Sequence, residues 1–363
     1  MKARFEHIQA LRGAAALMVL AAHVTEAELD YGGAGALLPF ALYMGVTGVD
    51  LFFLISGFVM AHVALEGPRD PRASARFIYN RAARIYPLYW AVTLALMILY
   101  AGKRVLFGEA TPFNNPVETF LLLPDDEYPL LPVGWTLVHE MYFYAVFAIF
   151  VLVRRLEIIV FLAFWGAIVA VANAAGIAGA NPWTRIAFSP LTFEFIGGAG
   201  VALLLRRGVT AFAVPALAAG ALALLGASVF FARDLYPDAV AEPGRRTLIF
   251  SPIFAAILYG AAALETRRGA VAPKWLTATG DASYSLYLVH VPALLVAGKS
   301  LSLVVPDGAF DNPALIAGYL AASIGAAFAV HRWFEKPVLA LTRRMGDRLD
   351  KWCSSRMRRH EVR

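Results

Sequence analysis

Apolar residues occur along most of this chain in separate blocks of about 20 residues, which short polar segments divide. A helix needs roughly this length to cross about 30 Å of hydrocarbon. The run Ala213–Leu225 shows no alternation of polar and apolar residues, which argues against the strands of a closed barrel. The pattern therefore predicts an all-α, polytopic bundle of about ten membrane helices, at residues 7–27, 45–64, 84–102, 133–153, 156–175, 186–205, 209–231, 247–264, 280–302 and 313–334.

Composition supports a membrane protein. The 363 residues are 60% hydrophobic and 16% charged, and the mean hydropathy is +0.63. Soluble domains carry about 25% charged residues, so too few charges are present here to cover a large soluble core. The single cysteine, Cys353, excludes a disulfide framework and a cysteine-based metal site.

The basic residues predict the orientation. The N-terminus resembles a secretory signal, but Arg12 interrupts its apolar stretch, so we expect a retained first helix. With the N-terminus in the cytoplasm, 24 of the 32 lysines and arginines lie on the inner side and seven on the outer side. This excess follows the positive-inside rule, so both termini are predicted to be cytoplasmic. Contact with anionic lipid then accounts for the net charge of +6 without a nucleic-acid partner.

Two regions follow from this topology. Residues 1–340 are predicted to form the membrane domain, and residues 341–363 a basic cytoplasmic tail. We expect the tail to form a helix on the inner membrane surface, and its residues indicate no chemistry.

Arg12 and His23 are ionisable residues within the first predicted span. They are 11 positions apart, which places them on one helix face about 16 Å apart along the axis. Arg12 alone could reach the inner head groups, and His23 alone could bind a neighbouring helix. Together on one face they favour a polar cavity, because ionisable groups in hydrocarbon are costly.

Further ionisable residues lie at membrane depth in other spans. Asp50 is close in depth to His23, and a carboxylate there could orient the imidazole of a general base. Glu140, Glu194 and His290 are also predicted within the membrane, whereas Ser56 and Gly57 are typical of close helix packing. No ligand spacing supports a metal site, and we expect none.

Arg81 and Arg84 lie at the predicted inner interface. Arginines three positions apart share one side of a helix and can bind phosphate in a bidentate manner. Ordinary anchoring of a cytoplasmic loop is the alternative, and charge alone does not decide between them.

Taken together, these residues resemble the acyltransferase-3 family of integral membrane acyltransferases, which includes bacterial polysaccharide O-acetyltransferases. The resemblance extends from Ile8 to Pro337. The matching segments are Gln9–Gly13 with His23, Asp50–Phe58, Arg81–Arg84 with Tyr86 and Pro87, Trp135–Leu137 with Glu140, Tyr284–Tyr287 with His290, and Glu335–Pro337. Each segment alone is weak, but the six occur in order and at fitting depths.

The resemblance implies transfer of an acyl group, usually acetyl, from a coenzyme A thioester to a hydroxyl, often of a sugar. It makes His23 and Arg12 essential, with the histidine catalytic, and we place Asp50 and Glu140 beside them. Arg81 and Arg84, with the neighbouring Arg76 and Tyr86, are expected to bind acetyl-CoA or another acyl-CoA. Trp135, Ser285, Tyr287 and His290 are expected to contact the saccharide acceptor. The compact branch that modifies exopolysaccharides, which lacks an extra esterase-like domain, is the most similar.

The resemblance predicts a location in a bacterial cytoplasmic (inner) membrane, with acyl-CoA and a saccharide as partners. His23 would act as a general base, or as a transient acyl carrier in a relay. A transporter of a lipid-linked saccharide could use the same buried groups, and would not depend on acyl-CoA. An enzyme that acylates a small secreted metabolite also fits the residues, whereas a non-catalytic scaffold would leave His23 and Asp50 unexplained.

Overall fold

The structure, a computed structural model, describes residues 5–31, 38, 40–108, 115–153, 157–231, 242–302 and 312–361. These residues form fourteen α-helices and no β-strand, which confirms the predicted all-α bundle. The helices are α1 (Glu6–Tyr31), α2 (Gly48–Glu66), α3 (Pro71–Phe107), α4 (Pro116–Leu121), α5 (Trp135–Leu152), α6 (Ile158–Ala174), α7 (Pro182–Ala187), α8 (Thr192–Arg206), α9 (Ala213–Phe231), α10 (Pro243–Arg268), α11 (Lys274–Asp281), α12 (Ser283–Ser302), α13 (Pro313–Val330) and α14 (Lys336–Glu361).

Helices occur at all ten predicted spans. In the described chain, eight helical segments are long and apolar enough to cross a membrane. The spans predicted at 156–175 and 280–302 correspond to shorter apolar helices, Ile158–Ala174 and Ser283–Ala297. The chain is therefore a multi-pass membrane protein, and the total of ten spans stays a prediction.

The outward faces of the bundle are apolar. On α9, for example, Leu222, Val229 and Phe230 are each about 70% exposed. In water such a surface would be unfavourable, whereas lipid tails cover it without penalty. Loop residues 109–114 and 232–241, and the basic residues Lys2, Arg4, Arg154, Arg155 and Arg233 that entered the orientation prediction, lie outside the described residues.

Glycines bring α2 and α8 into backbone contact. The α-carbon of Gly57 faces the carbonyl of Phe195, and that of Gly198 faces the carbonyl of Leu54. A β-carbon at either position would overlap the opposing backbone. This arrangement confirms that Gly57 serves close helix packing, the usual role of small residues between membrane helices.

The C-terminal helices form one continuous rod. Helix α13 passes through a π-helical turn, His331–Glu335, directly into α14. The predicted division between residues 340 and 341 falls within α14. The N-terminal part of α14 contacts α3, where the Tyr79 hydroxyl donates to the carbonyl of Thr342 at 2.8 Å.

Candidate active site

A cavity of about 120 Å³, lined by apolar side chains together with several charged and hydroxyl groups, lies between α1, α2, α3, α5 and α12. Five residues predicted for the site line it: Arg12, Arg81, Arg84, Glu140 and Tyr287. Helices that are distant in sequence thus bring together much of the predicted chemistry. Three guanidinium groups share this lining with one carboxylate, which suits an anionic ligand.

Glu140 is held in place by two hydroxyl groups. Ser56 donates to its Oε1 at 3.0 Å, and Tyr144, one helical turn further along α5, donates to the same oxygen. Arg12 lies within electrostatic range of both Glu140 and Tyr144. The carboxylate therefore provides a fixed negative charge near Arg12, and Ser56 has a polar role that the packing interpretation missed.

Tyr287 contributes to the cavity lining from α12. Its hydroxyl lies 2.8 Å from the Thr136 hydroxyl and donates to the carbonyl of Val133 at 3.0 Å. His23 is not among the residues that line the cavity. The separation of about 16 Å between Arg12 and His23 along α1 explains this, because the cavity ends before it reaches the histidine.

His23 and His290 meet beyond Tyr287. Their ring centroids are 4.9 Å apart and the rings are nearly perpendicular. The centroid of the Tyr287 ring lies 6.0 Å from that of His290. An aromatic chain from Tyr287 to His290 to His23 thus links the cavity to the predicted catalytic histidine.

Both histidines use Nδ1 in the same way. The Nδ1 of His23 lies 2.9 Å from the carbonyl of Val19, and that of His290 lies 3.0 Å from the carbonyl of Leu286. A carbonyl can only accept, so a neutral ring carries its proton on Nδ1 and keeps a lone pair on Nε2. Nε2 of His23 lies 3.8 Å from a carboxylate oxygen of Glu26. Nε2 of His290 is buried and has no hydrogen-bond partner among the described residues.

Asp50 does not orient His23, as the sequence had suggested, but pairs with Arg246. Arg246 Nε donates to the two carboxylate oxygens of Asp50 at 2.8 and 2.9 Å, and its Nη2 donates to Oδ2 at 2.6 Å. Asp50 is fully buried. A buried carboxylate needs a cation in direct contact, and Arg246 meets that need more strongly than an imidazole would.

Glu194 lies next to this ion pair. It is fully buried, and its charged neighbours are Asp50 and Arg246. Both oxygens of Glu194 are buried without a hydrogen-bond partner among the described residues, so Arg246 contacts Asp50 directly and Glu194 only through electrostatics.

Two of the residues predicted to bind the donor have other partners. Arg76 pairs with Asp347 at 2.6 Å and with Asp350 at 3.1 Å. The Tyr86 hydroxyl donates to the carbonyl of Leu121 at 2.8 Å. Tyr86 lies about 200° around α3 from Arg84, so it faces away from the cavity.

Three of the four predicted acceptor residues, His290 among them, lie outside the cavity lining. Trp135 packs edge-on against Phe53 and His139. Ser285 donates to Oε2 of Glu335 at 2.7 Å, and Nδ1 of His331 lies 2.7 Å from the same oxygen. The π-helical turn directs the side chain of Glu335 toward Ser285 of α12, since such turns change the direction of side chains within a helix.

Comparison with known protein families identifies the family of this chain. The acyltransferase-3 profile, described as an acyltransferase domain, matches residues 5–332. The chain belongs to the acyltransferase-3 family. It is therefore a membrane acyltransferase, as the sequence motifs predicted.

Relatives of this acyltransferase-3 protein come from several bacteria. It is 29% identical to the exopolysaccharide production protein ExoZ of Rhizobium meliloti, over 82% of this chain and 90% of that protein. It is 27% identical to the acyltransferase MdmB of Streptomyces mycarofaciens, over 93% and 92% of the two chains. It is 29% identical to the putative membrane-bound transacylase BcsY of Komagataeibacter xylinus, over 76% and 72%. No solved structure matches the chain.

Sequence reasoning missed Arg246 as a site residue. Its position beside the exposed Arg245, near the start of α10, makes it resemble an ordinary basic residue of an outer loop. The sequence evidence for Arg246 is indirect: a carboxylate as deep as Asp50 requires a buried cation, but the sequence does not say which one. Tyr144 had a clearer signal, since it lies four positions after Glu140 and thus on the same helix face.

Proposed function

We propose that this acyltransferase-3 protein transfers an acetyl group from cytosolic acetyl-CoA to a hydroxyl of a saccharide, within a bacterial inner membrane. The arrangement of three arginines around the central cavity, with two histidines beyond it, is the observation that carries this assignment. We call the part of the site around Arg12, Arg81 and Arg84 the arginine end, and the part around His23 and His290 the histidine end. The orientation predicted from the basic residues puts the arginine end toward the cytoplasm and the histidine end toward the outside.

The arginine end suits the donor. Arg81 and Arg84 provide charge for the phosphates of acyl-CoA, which are not expected to enter hydrocarbon. The pantetheine arm, uncharged and narrow, is the part of the donor that the cavity would accept. Arg12, fixed near Glu140 and about 16 Å from His23 along α1, would hold the pantetheine arm in the cavity by donating to one of its amide carbonyl groups.

The histidine end suits the acceptor. Nε2 of His23 would take the proton of the saccharide hydroxyl while the oxygen attacks the thioester carbonyl carbon. The carbon–sulfur bond then breaks, and the leaving thiolate takes the proton from the imidazolium. His290, which packs edge-on against the His23 ring, would hold that ring in a productive orientation. Tyr287 would have to swing aside for the acetyl group to reach His23.

The relatives support a saccharide acceptor. One is described as an exopolysaccharide production protein. The name of the relative MdmB, an acyltransferase, specifies no acceptor, so it does not narrow the class of acceptor. We therefore assign the acceptor to an exopolysaccharide, a lipopolysaccharide or a lipid-linked precursor of one.

The test uses purified protein in phospholipid nanodiscs with acetyl-CoA labelled in the acetyl group. Label should move to added oligosaccharide with the wild-type protein and fall by at least about 100-fold with His23→Ala, as loss of a general base predicts. The His62→Ala variant is the matched control, since His62 is a half-exposed histidine that pairs with Glu66 at 3.3 Å. Transfer that proceeds equally in the His23→Ala variant would refute the assignment of His23.

A further inference from the structure

A second cavity, of about 350 Å³, lies between α3 and the C-terminal helix α14. Arg81 and Arg84 line both this cavity and the central one. The two cavities therefore adjoin at these arginines. From α14, Thr342 and Arg343 contribute to the lining.

The contacts of α14 with α3 give this helix a fixed position. Arg76 pairs with Asp347 and Asp350, and Gly346 lies directly against the side chains of Arg76 and Tyr79. A side chain at Gly346 would displace the Arg76 guanidinium or the Tyr79 ring. Arg76 is thus neutralised by α14 and serves to dock it.

The other basic residues of this cavity lack such partners. Arg81, Arg84 and Arg343 form no ion pair within the described part of the chain, and Arg81 instead lies over the rings of Phe77 and Tyr144. Three guanidinium groups without a direct ion pair thus line one cavity, and the carboxylate in that lining, Asp347, is paired with Arg76, so positive charge is in excess there. An anion with more than one phosphate would balance that excess.

We propose that α14 completes the binding site for the nucleotide end of the donor, and that Arg343 binds its 3′-phosphate. This inference rests on the proposed donor, an acyl-CoA. The pantetheine arm must pass Arg81 and Arg84 to enter the central cavity, and the diphosphate to which that arm is attached then lies beside these arginines. The 3′-phosphate, on the ribose beyond the diphosphate, falls toward α14 and Arg343.

The experiment measures binding, so it does not depend on the unknown acceptor. Wild-type protein in phosphatidylcholine nanodiscs is titrated calorimetrically with coenzyme A and with dephospho-coenzyme A, which lacks the 3′-phosphate. We expect coenzyme A to bind at least about 10-fold more tightly, the effect of one charge-assisted phosphate contact. In the Arg343→Ala variant the two ligands should bind with equal affinity, because only coenzyme A loses a contact.

Arg344→Ala is the matched control, since it removes the same charge from the next position of α14, which does not line the cavity. It should keep the wild-type preference for coenzyme A. A preference retained in Arg343→Ala would overturn the role of Arg343. Equal affinities in the wild type, with Arg343→Ala reducing co-purified phosphatidylglycerol, would assign the cavity to a lipid phosphate and also overturn it. Failure of the wild type to bind either coenzyme A ligand would instead contradict the proposed donor.

Discussion

Replacement of Arg246 by methionine should destabilise the protein more than replacement of Asp50 by asparagine. The Arg246 guanidinium makes three contacts of 2.6 to 2.9 Å with Asp50 and donates to the Val46 carbonyl at 3.0 Å. Its loss leaves Asp50 and Glu194 buried without a cation, and breaking a buried ion pair in this way costs roughly 3–5 kcal/mol. In Asp50→Asn the amide oxygen can still accept from Arg246, and Glu194 stays within electrostatic range of the guanidinium, so we expect roughly 1–3 kcal/mol.

The assay is reversible unfolding in mixed detergent micelles, titrated with dodecyl sulfate and followed by tryptophan fluorescence. Arg245→Met is the control. Arg245 precedes Arg246, is exposed and lies 3.6 Å from Glu242, so its loss should change the free energy of unfolding by less than about 1 kcal/mol. Combining Asp50→Asn with Arg246→Met should cost less than the sum of the two single changes, since the pair is removed together.

Two results would refute this reasoning. An Arg246→Met variant as stable as Arg245→Met would mean that the ion pair does not stabilise the bundle. An Asp50→Asn variant with wild-type stability but 100-fold slower acyl transfer would show that Asp50 takes part in catalysis, as predicted from the sequence.

Three further predictions concern the cavity and the helix contacts. Glu140→Gln should slow acetyl transfer by at least about 10-fold in nanodiscs, because Arg12 loses the fixed charge beside it; unchanged turnover would contradict the role of that carboxylate. Tyr287→Phe removes the hydroxyl that contacts Thr136 and Val133, so we expect water to reach the thioester more easily and the ratio of thioester hydrolysis to transfer to rise; a constant ratio would contradict this. Gly57→Ala should lower the detergent melting temperature, because its β-carbon would overlap the α8 backbone. Gly102→Ala, with open space around it, should raise that temperature or leave it unchanged, and equal shifts would contradict the packing argument.

The membrane helices were predictable because their signal is local. Length and apolarity identify a span without knowledge of its neighbours, and helices occur at all ten predicted positions. The contrast between α9 and α12 shows the limit of this signal. Helix α9 is long and uniformly apolar, whereas α12 carries the buried polar residues Ser283, Ser285 and His290 among its apolar residues, so hydropathy alone identifies it less clearly.

The grouping of site residues was predictable only in part. Arg12, Arg81, Arg84 and Glu140 meet in one cavity because each had to be removed from lipid, and the bundle interior is the available place. The partner of Asp50 could not be read from local sequence, because Arg246 lies 196 positions away. The helical repeat explains why Tyr86 lies outside the cavity. It adjoins the arginine pair in sequence but faces the opposite side of α3.

We propose that this chain acetylates a saccharide through His23, and the following measurement in cells tests this most directly. Surface polysaccharide would be isolated from cells that lack the gene and carry either the wild-type gene or the His23→Ala variant, at matched membrane levels of protein. Mass spectrometry of the repeat unit should find an acetyl group with the wild type and none with His23→Ala. An acetyl group present at the same level in both samples, or absent from both, would contradict the account.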